Sequence, residues 1–182
     1  AMDWRTPVVI LASAASFGAL VLRWSDASDL IVLGIYVGCL MVLLATDLDQ
    51  KLLPDLITLP LIGYGAAVTL LGLNPVLAEK TQVLIAPGDL SAILAAVLAP
   101  AALALTDRLF HGALGMGDIK LAVSLGLMFG VTQLFAGFLL ATIAFAVVVL
   151  VLVAARRVTL KTAIPFGPAL IGAGVLAAVV QV

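Results

Sequence analysis

Charged side chains are nearly missing from this 182-residue chain: nine Lys and Arg and ten Asp and Glu make up 10% of it. A soluble domain of that length needs a far more polar surface to cover its core. The net charge of −1 leaves no basic surface for nucleic acid. A single cysteine, Cys39, excludes an intrachain disulfide and any cysteine-based zinc site. In the middle of an apolar run it reads as a small packing residue. A single histidine, His111, leaves zinc-hydrolase and cysteine-protease chemistry poorly supplied, and no serine has a histidine near it in the chain. His111 itself reads as a loop residue. No stretch shows the polar–apolar alternation of barrel strands, and there is no low-complexity segment or internal repeat.

What the chain has instead is apolar length. Hydrophobic residues make up 64% of it, with a mean hydropathy of +1.31. Uncharged runs cover Thr6–Leu22, Leu30–Thr46, Leu56–Ala78, Leu90–Thr106, Leu121–Ala155 and Thr162–Val182. Crossing a bilayer takes roughly 17–25 apolar residues as a helix, so each run can cross, and in lipid a helix satisfies its backbone within the segment. The first run lacks the basic start and cleavage site of a signal peptide. As one helix, Leu121–Ala155 would be about 50 Å long, too much for one crossing. Gly130-Val131-Thr132-Gln133 is the only polar, glycine-containing break near its middle, and dividing it there gives seven crossings.

Charge supports that count. With the N-terminus inside, seven crossings place Arg5, Lys51, Arg108, Lys120, Arg156, Arg157 and Lys161 at cytoplasmic ends and only Arg23 and Lys80 outside. Lys and Arg bias loops toward the cytoplasm. The expectation is an all-α, polytopic transmembrane bundle of about seven spans, with residues 1–182 forming one domain and the N-terminus cytoplasmic. Inside loops are expected near Asp47–Pro54, Asp107–Gly117 and Arg156–Pro165. Outside loops are expected at Trp24–Asp29, around Asn74–Asp89, where Pro87-Gly88 signals a turn, and near Thr132. Pro60 and Pro100 are expected to kink their spans.

Carboxylates are the remaining candidates for chemistry. Asp47-Leu48-Asp49-Gln50-Lys51-Leu52-Leu53-Pro54-Asp55 ends the second span, and Leu114-Gly115-Met116-Gly117-Asp118-Ile119-Lys120 opens the fifth. The topology puts both strings on one side of the membrane at similar depth. A boundary aspartate often only caps a helix. That reading suits Asp55, which follows Pro54 in an N-cap position. Asp49 is either a solvated loop charge or a neighbour of the site. Asp107 and Arg108 form an interfacial pair without assigned chemistry. Lys120 points to a different helix face from Asp118, where it snorkels toward headgroups or makes a substrate or structural contact. Gly115 and Gly117 let the backbone before Asp118 turn tightly and approach another chain.

These strings resemble the two motifs of the bacterial prepilin peptidases, the type IV leader peptidases. Thr46 through Pro60 is similar to their first aspartate motif, and Gly115-Met116-Gly117-Asp118-Ile119-Lys120-Leu121 to their Gly-x-Gly-Asp motif. Ile164-Pro165-Phe166-Gly167-Pro168 resembles the stretch before their last helix, and Arg5-Thr6-Pro7 the start of their second span. The resemblance implies a peptidase that removes the short basic leader of prepilins and pseudopilins at the cytoplasmic face of the bacterial inner membrane. By motif position its catalytic aspartates are Asp47 and Asp118. Gly115, Gly117, Asp49, Pro54, Asp55 and Lys120 are the expected supporting residues, with no metal or cofactor. Presenilins and signal peptide peptidases share the Gly-x-Gly-Asp chemistry, but their first aspartate follows tyrosine, whereas Thr46 precedes Asp47.

One departure shapes the expectation. Many bacterial members carry an N-terminal segment with paired, zinc-binding cysteines and an earlier span, and also methylate the new amine with S-adenosylmethionine. This sequence has no paired cysteines and starts where that segment would end. Either this is a short, peptidase-only form or a trimmed piece of a longer chain; peptidase activity is the expectation, and methylation is not part of it. Two close aspartates in a partly dry site share one proton; the ionised member activates water and the protonated one donates to the substrate. Two other classes compete: a proton- or ion-coupled transporter using boundary carboxylates, and a non-catalytic assembly subunit in which both motifs are helix caps. If the peptidase reading holds, Asp47→Asn, Asp118→Asn or either Ala change should abolish cleavage in a protein that still inserts and purifies normally. Changes at Asp49 or Asp55 should cost activity only in part.

Overall fold

The computed structural model describes residues 5–50, 52–78, 88–109, 115–154 and 166–180. Lys51, Glu79, Lys80, Pro87, His111, Leu114, the Arg156/Arg157/Lys161 cluster and Ile164–Pro165 lie outside the described residues. All regular structure described is helical: α1 (Arg5–Arg23), α2 (Ala27–Gln50), α3 (Asp55–Leu70), a single turn α4 (Pro75–Ala78), α5 (Gly88–Leu109), α6 (Met116–Ala154) and α7 (Gly167–Val179). By length and composition α1, α2, α5 and α6 can each cross a membrane, while α3 and α7 are shorter apolar helices of 16 and 13 residues. Pro60 and Pro100 lie inside α3 and α5.

Two helices make up α6. Gly130 has φ 67° and ψ −179°, a combination that glycine alone holds without strain. After it the chain turns back. Residues 116–129 run away from Asp118 until Leu127 and Met128 reach the end of α3. Residues 131–154 return along α7: Gln133 donates to the Ala177 carbonyl at 3.0 Å and to that of Val180. One turn later Phe138 meets Phe166, just ahead of α7. The chain therefore passes through the bundle seven times, with the reversal at the glycine where the apolar run was divided.

Side chains from three other elements hold the reversal together. A helix leaves its last carbonyls and first N–H groups without partners. Thr69 Oγ1 donates to the Leu127 carbonyl at 2.9 Å, and Asn74 Nδ2 to that of Met128 at 2.9 Å. On the other side of the turn, Val131 N–H donates to Ser91 Oγ at 2.9 Å. Asn74 Oδ1 also accepts from the N–H groups of Val76 and Leu77, capping α4.

Two boundaries differ from the sequence expectation. The span that begins the uncharged run Leu56–Ala78 stops at Leu70, short of the loop expected around Asn74–Asp89. Gly72, at φ 67°, ends α3 in a Schellman arrangement, with Gly72 N–H bonded to the Thr69 carbonyl and Leu73 N–H to that of Val68. Uncharged length cannot reveal such a stop; the glycine before Asn74-Pro75 could. The inside loop placed at Asp47–Pro54 is shorter, because α2 continues to Gln50. Pro54, rather than Asp55, is the N-cap of α3. Asp55 is its first helical residue, where an acid suits the helix dipole.

The side chains sort by polarity in the reverse of a soluble protein. Leu22, Leu56 and Leu70 are exposed, whereas Ser16, Thr58, Ser124, Asn74 and Gln133 are buried. Apolar burial does not discriminate when lipid is as apolar as leucine; a hydroxyl or amide has to find its partner inside. Ser124, for example, bonds Tyr36 at 2.9 Å and donates to the Leu61 carbonyl at 3.0 Å, tying α2, α3 and α6 together. A Cβ on Gly130 would meet Ser91 Oγ at 2.8 Å and Leu77 Cδ2 at 3.1 Å. Gly130→Ala should therefore lower stability by about 1–3 kcal/mol, read as a lower thermal midpoint in detergent. Gly63→Ala, where a Cβ meets nothing within 4 Å, should not.

Candidate active site

The buried residues of α2 include Leu33, Tyr36, Leu40, Leu43, Leu44 and Asp47. Steps of three and four residues keep one helix face, so Asp47 continues the stripe that α2 turns toward the bundle. Because the helix runs on to Gln50, its carboxylate points inward and is only 5% exposed. Gly167, the first residue of α7, is packed against it. A Cβ there would stand 2.7 Å from Asp47 Cγ and Oδ2 and 2.9 Å from Oδ1. No side chain fits between α7 and the Asp47 carboxylate.

Asp118 is the third residue of α6 and is 9% exposed. Its Oδ2 accepts from Gly115 N–H at 3.2 Å, and its own N–H donates to the Gly115 carbonyl at 3.1 Å. That is the reach-back half of a capping box, in which the third helical residue satisfies the N-cap amide. Gly117 rests on the α2–α3 connection. A Cβ at Gly117 would stand 2.7 Å from Leu53 Cβ and 2.9 Å from its carbonyl oxygen. The Gly-x-Gly spacing thus supplies an N-cap for α6 and a backbone-to-backbone seat for its first turn.

These two approaches bring Asp47 and Asp118 within electrostatic reach of each other. One oxygen of each, Asp47 Oδ2 and Asp118 Oδ1, is buried without a hydrogen-bond partner among the described residues. Leaving a buried polar atom unpaired costs roughly 1–3 kcal/mol, and more for a charged group. Such an atom calls for an explanation, and a chemical role is one. Two neighbouring carboxyl groups in poor solvent can hold one proton between them, leaving one as acceptor and the other as donor.

The other candidate residues stand around this pair rather than in it. Asp49 is exposed in the last turn of α2 and bonds Arg5 Nη1 of α1 at 2.7 Å. Asp55 bonds Lys120 Nζ at 2.7 Å, joining the starts of α3 and α6. Lys120 therefore makes a cross-helix ion pair instead of reaching for headgroups. Pro54 caps α3 and Gly115 caps α6. Gly167, which packs against Asp47, and Leu53, which seats Gly117, were not among the residues singled out from the sequence as supporting the site. Gly167 lay inside a quoted motif, but only its contact with a residue 120 positions earlier gives it a role. Among the described residues no group of three His, Cys, Asp or Glu side chains could hold a metal ion.

The sequence profile of the type IV leader peptidase family matches residues 34–152, a stretch containing both aspartates. The prepilin leader peptidase/N-methyltransferase of Bacillus subtilis is 27% identical over 178 residues, covering 97% of this chain and 66% of the relative. The protein of the same name in Dickeya chrysanthemi is 31% identical over 184 residues, covering 100% of this chain and 62% of the relative. Its namesake in Burkholderia pseudomallei (strain 1026b) is 32% identical over 173 residues, with 93% and 53% covered. The chain thus spans between about half and two thirds of the length of these curated relatives. No solved structure matches it. With well over half of its residues inside the family profile, the chain belongs to the type IV leader peptidase family.

Proposed function

We propose that this protein is a membrane aspartic endopeptidase that removes the short basic leader from type IV prepilins or pseudopilins, with Asp47 and Asp118 as the catalytic pair. The observation that carries the reading is the pair of buried, unpartnered oxygens, Asp47 Oδ2 and Asp118 Oδ1, on neighbouring carboxyl groups. Family membership supports the substrate class, since the relatives are named prepilin leader peptidases. The proposal covers the peptidase half of that name only.

The ionised carboxylate takes a proton from water, and the resulting hydroxide attacks the scissile carbonyl carbon. The protonated partner donates to the carbonyl oxygen, giving a tetrahedral intermediate. Its collapse breaks the C–N bond, and the leaving amine takes up a proton. The two groups titrate as a unit, so neither is assigned as base. The working orientation places the dyad at the cytoplasmic face of the bacterial inner membrane. Arg5, Arg108 and Lys120 belong to the dyad end of the bundle and Arg23 to the other, which fits the rule for basic residues.

A transporter needs polar stations along its path. Every Asp, Lys and Arg described lies at a helix end or in a connection. The hydroxyls between, such as Tyr36 and Ser124, bond one another or backbone carbonyls. Purified protein given a prepilin-like peptide should make one cut after the leader. Proton flux in liposomes without cleavage would instead establish the transporter. The rate should be bell-shaped in pH, because neither the doubly protonated nor the doubly ionised pair has both a base and an acid. Gly167→Ala pushes a methyl group against the Asp47 carboxylate and should lower kcat by about 10- to 100-fold in a folded protein, as misplacement near 1 Å does.

A further inference from the structure

We infer that Lys120 is a positioning residue: its ion pair with Asp55 helps hold the first turn of α6 and hence where Asp118 stands relative to Asp47. The inference rests on the peptidase reading for its kinetic test, and its geometry stands apart from it. Two residues along a helix amount to about 200° of turn. Asp118 therefore faces the bundle while Lys120 faces away, where its Nζ meets Asp55 Oδ1 at 2.7 Å.

From Leu121 onward α6 is oriented by its buried stripe, Leu121, Ala122, Ser124 and Leu125. Its first turn has fewer holds: Gly115 and Gly117 carry no side chain, Met116 is exposed, and Asp118 is the only buried residue from 115 to 120. Gly117 seats the backbone on Leu53, which is one point of contact. Lys120 adds a second point on the same neighbour, since Asp55 follows Leu53 by two residues. Together the two contacts hold the end of the helix in the orientation that the stripe sets further along. The same arrangement recurs on the other side of the pair. Asp49, two residues past Asp47, ties α2 to Arg5 of α1.

Magnitudes separate this role from ordinary stabilisation. The Lys120 and Asp55 side chains are 29% and 58% exposed, and such pairs contribute about 0–1 kcal/mol to folding. A carboxyl group stands roughly 5 Å from its helix axis, so a 20° rotation moves it by about 2 Å. A displacement near 1 Å can cost about 100-fold in rate. A contact biases an orientation only by the free energy it contributes, so losing the pair shifts the aim of Asp118 by a few-fold and leaves the fold intact. A Lys120 that instead bound substrate would act on KM.

The test is a double-mutant cycle on the full chain in detergent or liposomes, with Lys120→Met, Asp55→Asn and both together. Each single change should lower kcat about two- to fivefold with KM unchanged. The double variant should be no worse than the poorer single, and Lys120→Arg should keep most activity. A raised KM with native kcat, multiplying losses, unchanged rates, or losses that follow a fallen thermal midpoint would each overturn the inference. A second readout needs no cleavage. In a Cys39→Ala background carrying Asp47→Cys and Asp118→Cys, a short bifunctional maleimide should join the two positions severalfold more slowly once Lys120→Met is added; an unchanged rate overturns the inference. If the native protein cuts no leader peptide while this slowing is seen, the peptidase reading fails and the positioning role stands.

Discussion

In the hydrocarbon of a bilayer a polar atom has only the protein to bond with, and most of this architecture follows from that restriction. It decides which side chains face inward, since the exposed surface is as leucine-rich as the interior. It also explains how the chain reverses at Gly130 with one residue of non-helical backbone. The helix ends that meet there would be costly in lipid, and Thr69, Asn74 and Ser91 give them partners from α3, from the segment ahead of α4, and from α5. Three separate elements converge on one turn because its orphaned groups require it.

Against that background the two aspartates stand out for what they leave undone. Asp118 gives one oxygen to the Gly115 amide and keeps the other unbonded; Asp47 keeps one oxygen unbonded beneath Gly167. The charged residues two positions further on behave in the opposite way. Asp49 and Lys120 are tied across to Arg5 and Asp55 at the bundle's edge. Helical geometry separates the tasks: one face of each helix end carries a buried carboxyl group, and the next face carries an anchor. Close backbone packing seats Gly117 on Leu53 and Gly167 on Asp47 itself.

Much of this was legible in the sequence, for identifiable reasons. Uncharged run lengths and the placement of Lys and Arg yield the seven passes, and Gly130 opens the only polar, glycine-containing break near the middle of its run. Carboxylates emerge as candidates because few other reactive residues exist, and it is the resemblance to the prepilin-peptidase motifs that picks Asp47 and Asp118 from among them. The interior of the turn was not legible. Thr69, Asn74 and Ser91 look like ordinary small polar residues until the chain folds, because their partners lie 40 to 58 positions away. The Gly72 stop was missed by counting length instead of reading backbone chemistry. The partner of Lys120 could not be read locally either, since Asp55 is 65 positions earlier.

The contact between Gly167 and Asp47 also bears on biosynthesis. A chain leaving the ribosome has both aspartates once residue 118 has emerged, but the surface that closes over Asp47 belongs to α7, about 50 residues later. Until α7 docks, the first aspartate lacks its wall and α2 lacks one of its neighbours. A nascent chain without α7 therefore holds both acids without that enclosure. The arrival of α7 becomes a checkpoint on when the site can form, built into the order of the sequence.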